Sequence, residues 1–256
     1  MGYKVRAFKV IEQELPAPVV YLMKDFTGWE TLYYYVYLIR GNGRIILLNA
    51  GPPDDLEPLQ RHWEDFGGPR CRGKQDDSGK LLEILNSQGI GPCDVDAVIV
   101  TPLVSYATGG LTKLPRAQIC ISKRGWLSFH THAPVQDARR RIDIPDDVLS
   151  YLIGDAWERV RLLEEEAEVF PGIRAFFAGI HHASTMGLSI ETAQGNVTIC
   201  DAAFKFRNLE ENIPIGIVQD LPGCFTVYER VRKSGAIALP GYDPKILERF
   251  PNGEIA

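Results

Sequence analysis

The sequence predicts an α+β fold, and three observations carry that prediction. Short apolar runs rich in β-branched and aromatic residues, bounded by turn residues, recur roughly every ten positions through the first half of the chain. Helical, charged segments alternate with some of them and dominate residues 134–163. Strands then return ahead of a short C-terminal helix. The 256 residues, 45% hydrophobic and 24% charged, suffice for one large domain. Two small domains are equally possible at this length, and no repeat or low-complexity linker marks a boundary.

In chain order, residues 31–39 and 44–48 form a hairpin around the glycine-rich turn Arg40-Gly41-Asn42-Gly43. Its second strand ends at Asn49-Ala50-Gly51-Pro52-Pro53. Asp54 and Asp55 suit a helix N-terminus and predict a helix through Trp63. Leu81, Leu82 and Leu85 share one face of a second helix over 78–86, with Gly89 beyond its end. Residues 97–101 form a buried strand, a loop runs to Gly109-Gly110, and 118–122 form another strand. A helix begins at Pro145. Strands follow at 173–177, 187–191 and 197–200, the last two joined by Ala193-Gln194-Gly195-Asn196, and Asp243-Pro244 opens a helix to Phe250.

The charge balance, 28 Lys+Arg against 33 Asp+Glu, attracts neither phosphate backbones nor anionic lipid, so nucleic acid and membrane are not expected partners. No apolar run approaches the roughly 18–20 residues of a membrane helix, and the start Met1-Gly2-Tyr3-Lys4-Val5-Arg6 lacks the apolar stretch of a signal peptide; a cytoplasmic protein is expected. Cys71, Cys93, Cys120, Cys200 and Cys224 are irregularly spaced without a C-x-x-C pair and read as free, structural thiols. Arg139-Arg140-Arg141 reads as a solvated face, with an anionic-ligand patch as the alternative.

Five stretches, in order, resemble the metallo-β-lactamase superfamily, and its lactonase and glyoxalase-like branch in particular, from about Tyr33 onward. Leu47-Leu48-Asn49-Ala50-Gly51-Pro52 is similar to the strand leading to Asp-Thr-Gly. The stretch from Val98 to Leu111, with Thr101-Pro102-Leu103-Val104-Ser105-Tyr106-Ala107 and Gly109-Gly110, resembles Thr-His-x-His-x-Asp-His-x-Gly-Gly. Gly179-Ile180-His181-His182-Ala183-Ser184 stands where the family has Gly-His-Thr-Pro-Gly, Cys200-Asp201-Ala202 resembles the strand end with the metal-bridging aspartate, and Pro240-Gly241-Tyr242-Asp243 resembles Pro-Gly-His-Asp. The resemblance implies a single domain over residues 1–256, a four-layer αββα sandwich with its cleft at the strand ends, between the sheets.

The same alignment shows what is missing. The positions that in the family bind two metals read Pro102, Val104, Tyr106, Ala107 and Tyr242, and only His181 and Asp201 match the ligand pattern. Zinc takes Cys, His, Asp or Glu, with three protein ligands at a catalytic site, so a dinuclear centre is not expected. Asn49 also replaces a carboxylate that supports the ligands. No cofactor is therefore expected. A single divalent metal, zinc first, remains an alternative, held by His181 and Asp201 with a third ligand from His182, His130 or His132; an H-x-H pair on a strand would put both rings on one face.

The candidate catalytic residues are His181 and Asp201, as an acid/base pair, with the phenols Tyr106 and Tyr242 either donating to a developing oxyanion or plugging a vacated hole. His181 can equally be a hydrogen-bonded remainder of the fold. Candidate substrate-binding residues are His182, Ser184, Ser105, Lys205 and Arg207, although Glu210 and Glu211 can pair with the two cations. His62 is expected to be exposed. Three functions follow: a metal-free hydrolase of a small ester, lactone or cyclic amide; a mononuclear metal-dependent hydrolase; and a non-catalytic small-ligand-binding protein. A homodimer is compatible with the resemblance.

Overall fold

A computed structural model describes residues 2–131, 142–235 and 237–256 of the chain. Its strands form two sheets. The first has the order β1 (Lys4–Pro16), β2 (Trp29–Gly41), β3 (Arg44–Leu48), β4 (Ala97–Val100), β5 (Gln118–Ser122) and β6 (Val160–Leu163). β1, β2 and β3 are antiparallel neighbours, whereas β3 to β6 are parallel. The second sheet runs β11 (Ile237–Pro240), β10 (Gly195–Cys200), β9 (Met186–Thr192), β8 (Ile173–Phe177) and β7 (Glu166–Phe170), antiparallel except between β10 and β11.

Parallel neighbours need crossovers, and helices supply them. A single turn, α1 (Ala17–Val20), links β1 to β2; α2 (Glu57–Gly67) and α3 (Leu81–Ser87) lie between β3 and β4, and α4 (Ser105–Thr108) between β4 and β5. α5 (Lys123–His130) and α6 (Asp146–Ile153) precede β6, α7 (Phe206–Glu210) and α8 (Leu221–Lys233) separate β10 from β11, and α9 (Lys245–Arg249) follows. Three apolar layers hold these elements together, as a four-layer stack requires. Val36, Leu38, Leu47 and Val98 face outward onto Leu59, Trp63 and Ile84 of the helices. Tyr35, Tyr37, Ile39, Ile46 and Ile99 face inward onto Leu188, Ile190 and Val197 of the other sheet. Phe176 and Cys200 face α8 through Cys224, Val227 and Tyr228. The expected αββα sandwich is thus the observed one.

β2 is buried on both faces, so its run of tyrosines is core rather than the covering of one face. β1 was not expected as a strand. Its register shifts between Lys9 and Ile11, so Val5 and Ala7 point to the inter-sheet core while Ile11 and Leu15 point to the helices, and no single alternation runs through it. The free edge of β1 is met twice by other segments: Glu254 bridges Arg6, with the Ile255 N–H donating to Val5 O at 2.9 Å, and Lys74 bridges Glu12. α8 was also not expected, although Asp220 caps it by accepting the Gly223 N–H at 3.0 Å and Arg230, Arg232 and Lys233 sit in its last turn.

His130 ends α5 and so stands on a helix, not on the strand that would put an H-x-H pair on one face; the helix forms because Trp126 and Phe129 share its buried face. His132 and Arg139-Arg140-Arg141 lie outside the described residues. All five cysteines are free, and only Cys93 is exposed. Among the described residues no helix is long and apolar enough to cross a membrane.

Candidate active site

The ends of β3, β4 and β10 converge, and local chemistry holds them. Asn49, just past β3, adopts φ 66°, a left-handed conformation that asparagine tolerates better than most residues. There its Oδ1 accepts the Thr101 N–H at 2.9 Å, tying the end of β3 to that of β4. The following loop passes so close to the β3 loop that a Cβ on Gly109 would lie 2.0 Å from Pro53 N, and one on Gly110 2.2 Å from Ala50 O. The glycine pair is therefore a packing requirement, whatever side chains precede it.

Four candidate residues meet in this frame. The Tyr242 hydroxyl donates to Asp201 Oδ2 at 3.1 Å and lies 3.0 Å from the Tyr106 hydroxyl. A phenol has one proton, so with Tyr242's given to the carboxylate, Tyr106 donates to Tyr242. His181 Nδ1 stands 3.6 Å from the same Asp201 oxygen, a distance for an ion pair rather than a direct hydrogen bond. The His181 ring also meets His182 (centroids 4.0 Å apart) and the edge of Phe204 (4.8 Å). Burial pushes the Asp201 carboxyl up to about 6, opposed by the positive charge of His182 and the Tyr242 hydroxyl. Burial likewise pushes both phenols well above their ordinary range, so they stay neutral donors.

Tyr34 braces the two phenols, its ring centroid 4.8 Å from that of Tyr106 and 4.9 Å from that of Tyr242. Its hydroxyl donates to Gln13 Oε1 at 2.5 Å, and Gln13 Nε2 donates to Cys71 O at 2.7 Å. Above them opens a cavity of about 280 Å³, walled by Leu15, Leu32, Leu59, Trp63, Val104 and Phe204, with His181 and His182 in its lining. His62, expected on the surface, also lines it and is half-buried, because α2 turns that side of its face toward the cavity. Tyr34, Gln13 and Trp63 were not anticipated as site residues; a polar Gln13 within an otherwise apolar strand face was the available signal.

The other candidates are placed elsewhere. Ser184 Oγ accepts the Leu103 N–H at 2.9 Å, and Gly125 packs so tightly on it that a Cβ there would lie 2.3 Å from Ser184 Cβ. Ser105 lines a separate hollow beside Pro53 and Asp54. Lys205 pairs with Glu30 at 2.9 Å, and Arg207 with Asp25 at 2.8 Å and Glu211 at 3.1 Å, so neither cation lines the cavity.

The geometry has clear counterparts among solved structures. An N-acyl homoserine lactone hydrolase with N-hexanoyl-L-homoserine bound at its catalytic metal centre superposes with a TM-score of 0.79 at 20% identity, over 98% of each chain. AidC, a dizinc quorum-quenching lactonase, gives 0.69 at 11% identity, over 98% of this chain and 89% of its own. The hydrolase AbOPH of the beta lactamase superfamily gives 0.67 at 12%, over 99% and 92%. This chain has the metallo-β-lactamase fold. The likeness includes β1, ahead of the expected start of the resemblance. Neither a family model nor a curated protein matches the sequence itself.

Within the metallo-β-lactamase fold, this donor set does not fit a two-metal centre. Pro102, Val104, Tyr106, Ala107 and Tyr242 leave His181 and Asp201, and among the described residues no group of three or more His, Cys, Asp or Glu side chains is placed to hold a metal ion. His130 is no third donor at this site: it is exposed at the end of α5, with its ring against Trp126 and Phe129. The space between the sheets is instead taken by phenol rings.

Proposed function

We propose that the protein is a hydrolase of small esters or lactones that works from the His181–Asp201 pair without a dinuclear metal centre. The observation that carries this reading is a buried imidazole, His181, in the lining of a mostly apolar cavity of about 280 Å³, with the buried Asp201 carboxylate 3.6 Å from its Nδ1. That volume sits near the lower limit for small-molecule sites, so the substrate is short.

In the reaction His181 takes a proton from water as it adds to the substrate carbonyl; the imidazolium formed is stabilised by the Asp201 carboxylate. The carbon–oxygen bond of the ester or lactone then breaks, and His181 returns the proton to the leaving oxygen, releasing acid and alcohol, or one hydroxy acid. His182, on the same cavity, offers a ring N–H to the carbonyl oxygen. Tyr106 and Tyr242 act through Asp201 as positioning residues, since their protons are already committed along that chain.

The test is turnover of a panel of γ-lactones and aryl esters with short acyl chains, with chelator present and again after added zinc, for wild type and His181→Ala. The expected result is chelator-insensitive hydrolysis that His181→Ala abolishes while circular dichroism is unchanged. Turnover that survives the substitution, or that needs the metal, overturns the proposal. The predominantly apolar lining favours a second reading, a small-ligand-binding protein, and saturable binding with no turnover across the panel would establish it.

A further inference from the structure

The geometry points to a second ligand site, for a multivalent oxyanion, at the opposite end of the first sheet. β3 runs from Arg44 beside the hairpin turn to Leu48 beside the His181 cavity; Arg40 pairs with Ile45 at its far end. There a cavity of about 560 Å³ is lined by Lys4, Arg6, Arg40 and Arg249.

Three features separate this group from ordinary surface charge. Lys4 and Arg40 are direct cross-strand partners on β1 and β2, a like-charge juxtaposition that destabilises a sheet unless something neutralises it. Arg6, two residues along β1 from Lys4, shares that face. Among the described residues none of the three forms an ion pair, while Arg249 pairs with Glu210 at 3.1 Å. In a chain with net charge −5, leaving three cations together without carboxylate partners is the reverse of what the composition would give.

The groups are also held in place. Arg6 donates to Asn252 O at 2.9 Å and to Gln88 Oε1 at 3.2 Å, and Arg40 donates to Gln88 O at 3.0 Å, so both guanidinium groups are anchored through neutral acceptors and keep their full charge. The Arg40 Nε is buried and has no hydrogen-bond partner. Glu254, exposed, is the acidic side chain on the lining, and the last residue, Ala256, also lines it with an oxygen that accepts the Val5 N–H at 2.9 Å. Two anchored guanidinium forks and the exposed Lys4 ammonium provide the donors that a phosphate or a polycarboxylate accepts, whereas a monovalent anion leaves the charge uncompensated.

The experiment is calorimetric titration of the full chain with pyrophosphate and, separately, with citrate, at ionic strength matched with KCl. Binding with Kd below about 1 mM is expected for one or both, and which binds tighter assigns the source as phosphate or carboxylate. Lys4→Gln, an exposed substitution, should weaken it at least about fivefold while the anion-free melting temperature holds or rises, because the repulsion with Arg40 is relieved; Arg40→Gln should weaken it further. Absence of binding by both anions, or equal binding by wild type and Lys4→Gln, overturns the proposal. Lactone or ester turnover does not enter the readout, so the result is independent of the proposed hydrolysis.

Discussion

The Tyr106 and Tyr242 hydroxyls lie 3.0 Å apart, at two positions where the sequence resemblance implies metal ligands. Both rings are buried and both are braced by Tyr34, so the pair is a load on the fold as well as a feature of the site. Removing the Tyr106 hydroxyl deletes one buried hydrogen bond and leaves Tyr242 still donating to Asp201. Tyr106→Phe should therefore cost about 1 kcal/mol, and Tyr242→Phe about 2 kcal/mol because it strands the carboxylate and the other phenol together. Urea denaturation of the two single variants and the double variant checks this: the double should lose less than the sum, and strict additivity would deny the coupling.

Asp201 should make stability fall as pH rises. Its folded pKa is raised from 3.8 to about 6 by burial, so the folded state favours the protonated form. The contribution is complete below about pH 4, is lost through pH 4–6, and leaves a penalty on the order of 3 kcal/mol above pH 6. Asp201→Asn, which keeps an acceptor for Tyr242, should match wild type near pH 4 and melt higher at pH 8. An unchanged difference between the two proteins across that range would show that Asp201 does not titrate this way.

Gly109→Ala should be severe for a single methyl group, because the contacts it meets are Pro53 N at 2.0 Å and Pro52 C at 2.4 Å, both backbone. The two loops must part, at a cost of roughly 3 kcal/mol. A melting temperature within about 2 °C of wild type would mean that the loops are not packed as described.

Local pattern made much of this fold legible. Residues 118–122, apolar between turn signals, form β5 at the expected bounds, and the Gly41-Asn42-Gly43 hairpin forms where its turn chemistry puts it. β1 escaped because one bulge switches the face its apolar residues use. At the site, His181 and Asp201 could be read from the order and flanks of the motifs, being fixed by strand ends. Tyr34 and Trp63 could not, since their contact with the site depends on how β2 and α2 pack. Lys205 and Arg207 failed as cavity residues because their partners, Glu30 and Asp25, come from nearly two hundred positions away.

The two short segments laid against the outer edge of β1 bear on how the protein behaves in concentrated solution. A thirteen-residue strand with unpaired N–H and C=O groups along one side is a template for stacking copies edge to edge. Here the backbone around Val5 is occupied by residues 254–256 and that of Glu12 by Lys74, at two points spaced along the strand. Truncation before Glu254 would strip the first of these guards, and the sign of it would be turbidity on standing rather than a lost activity.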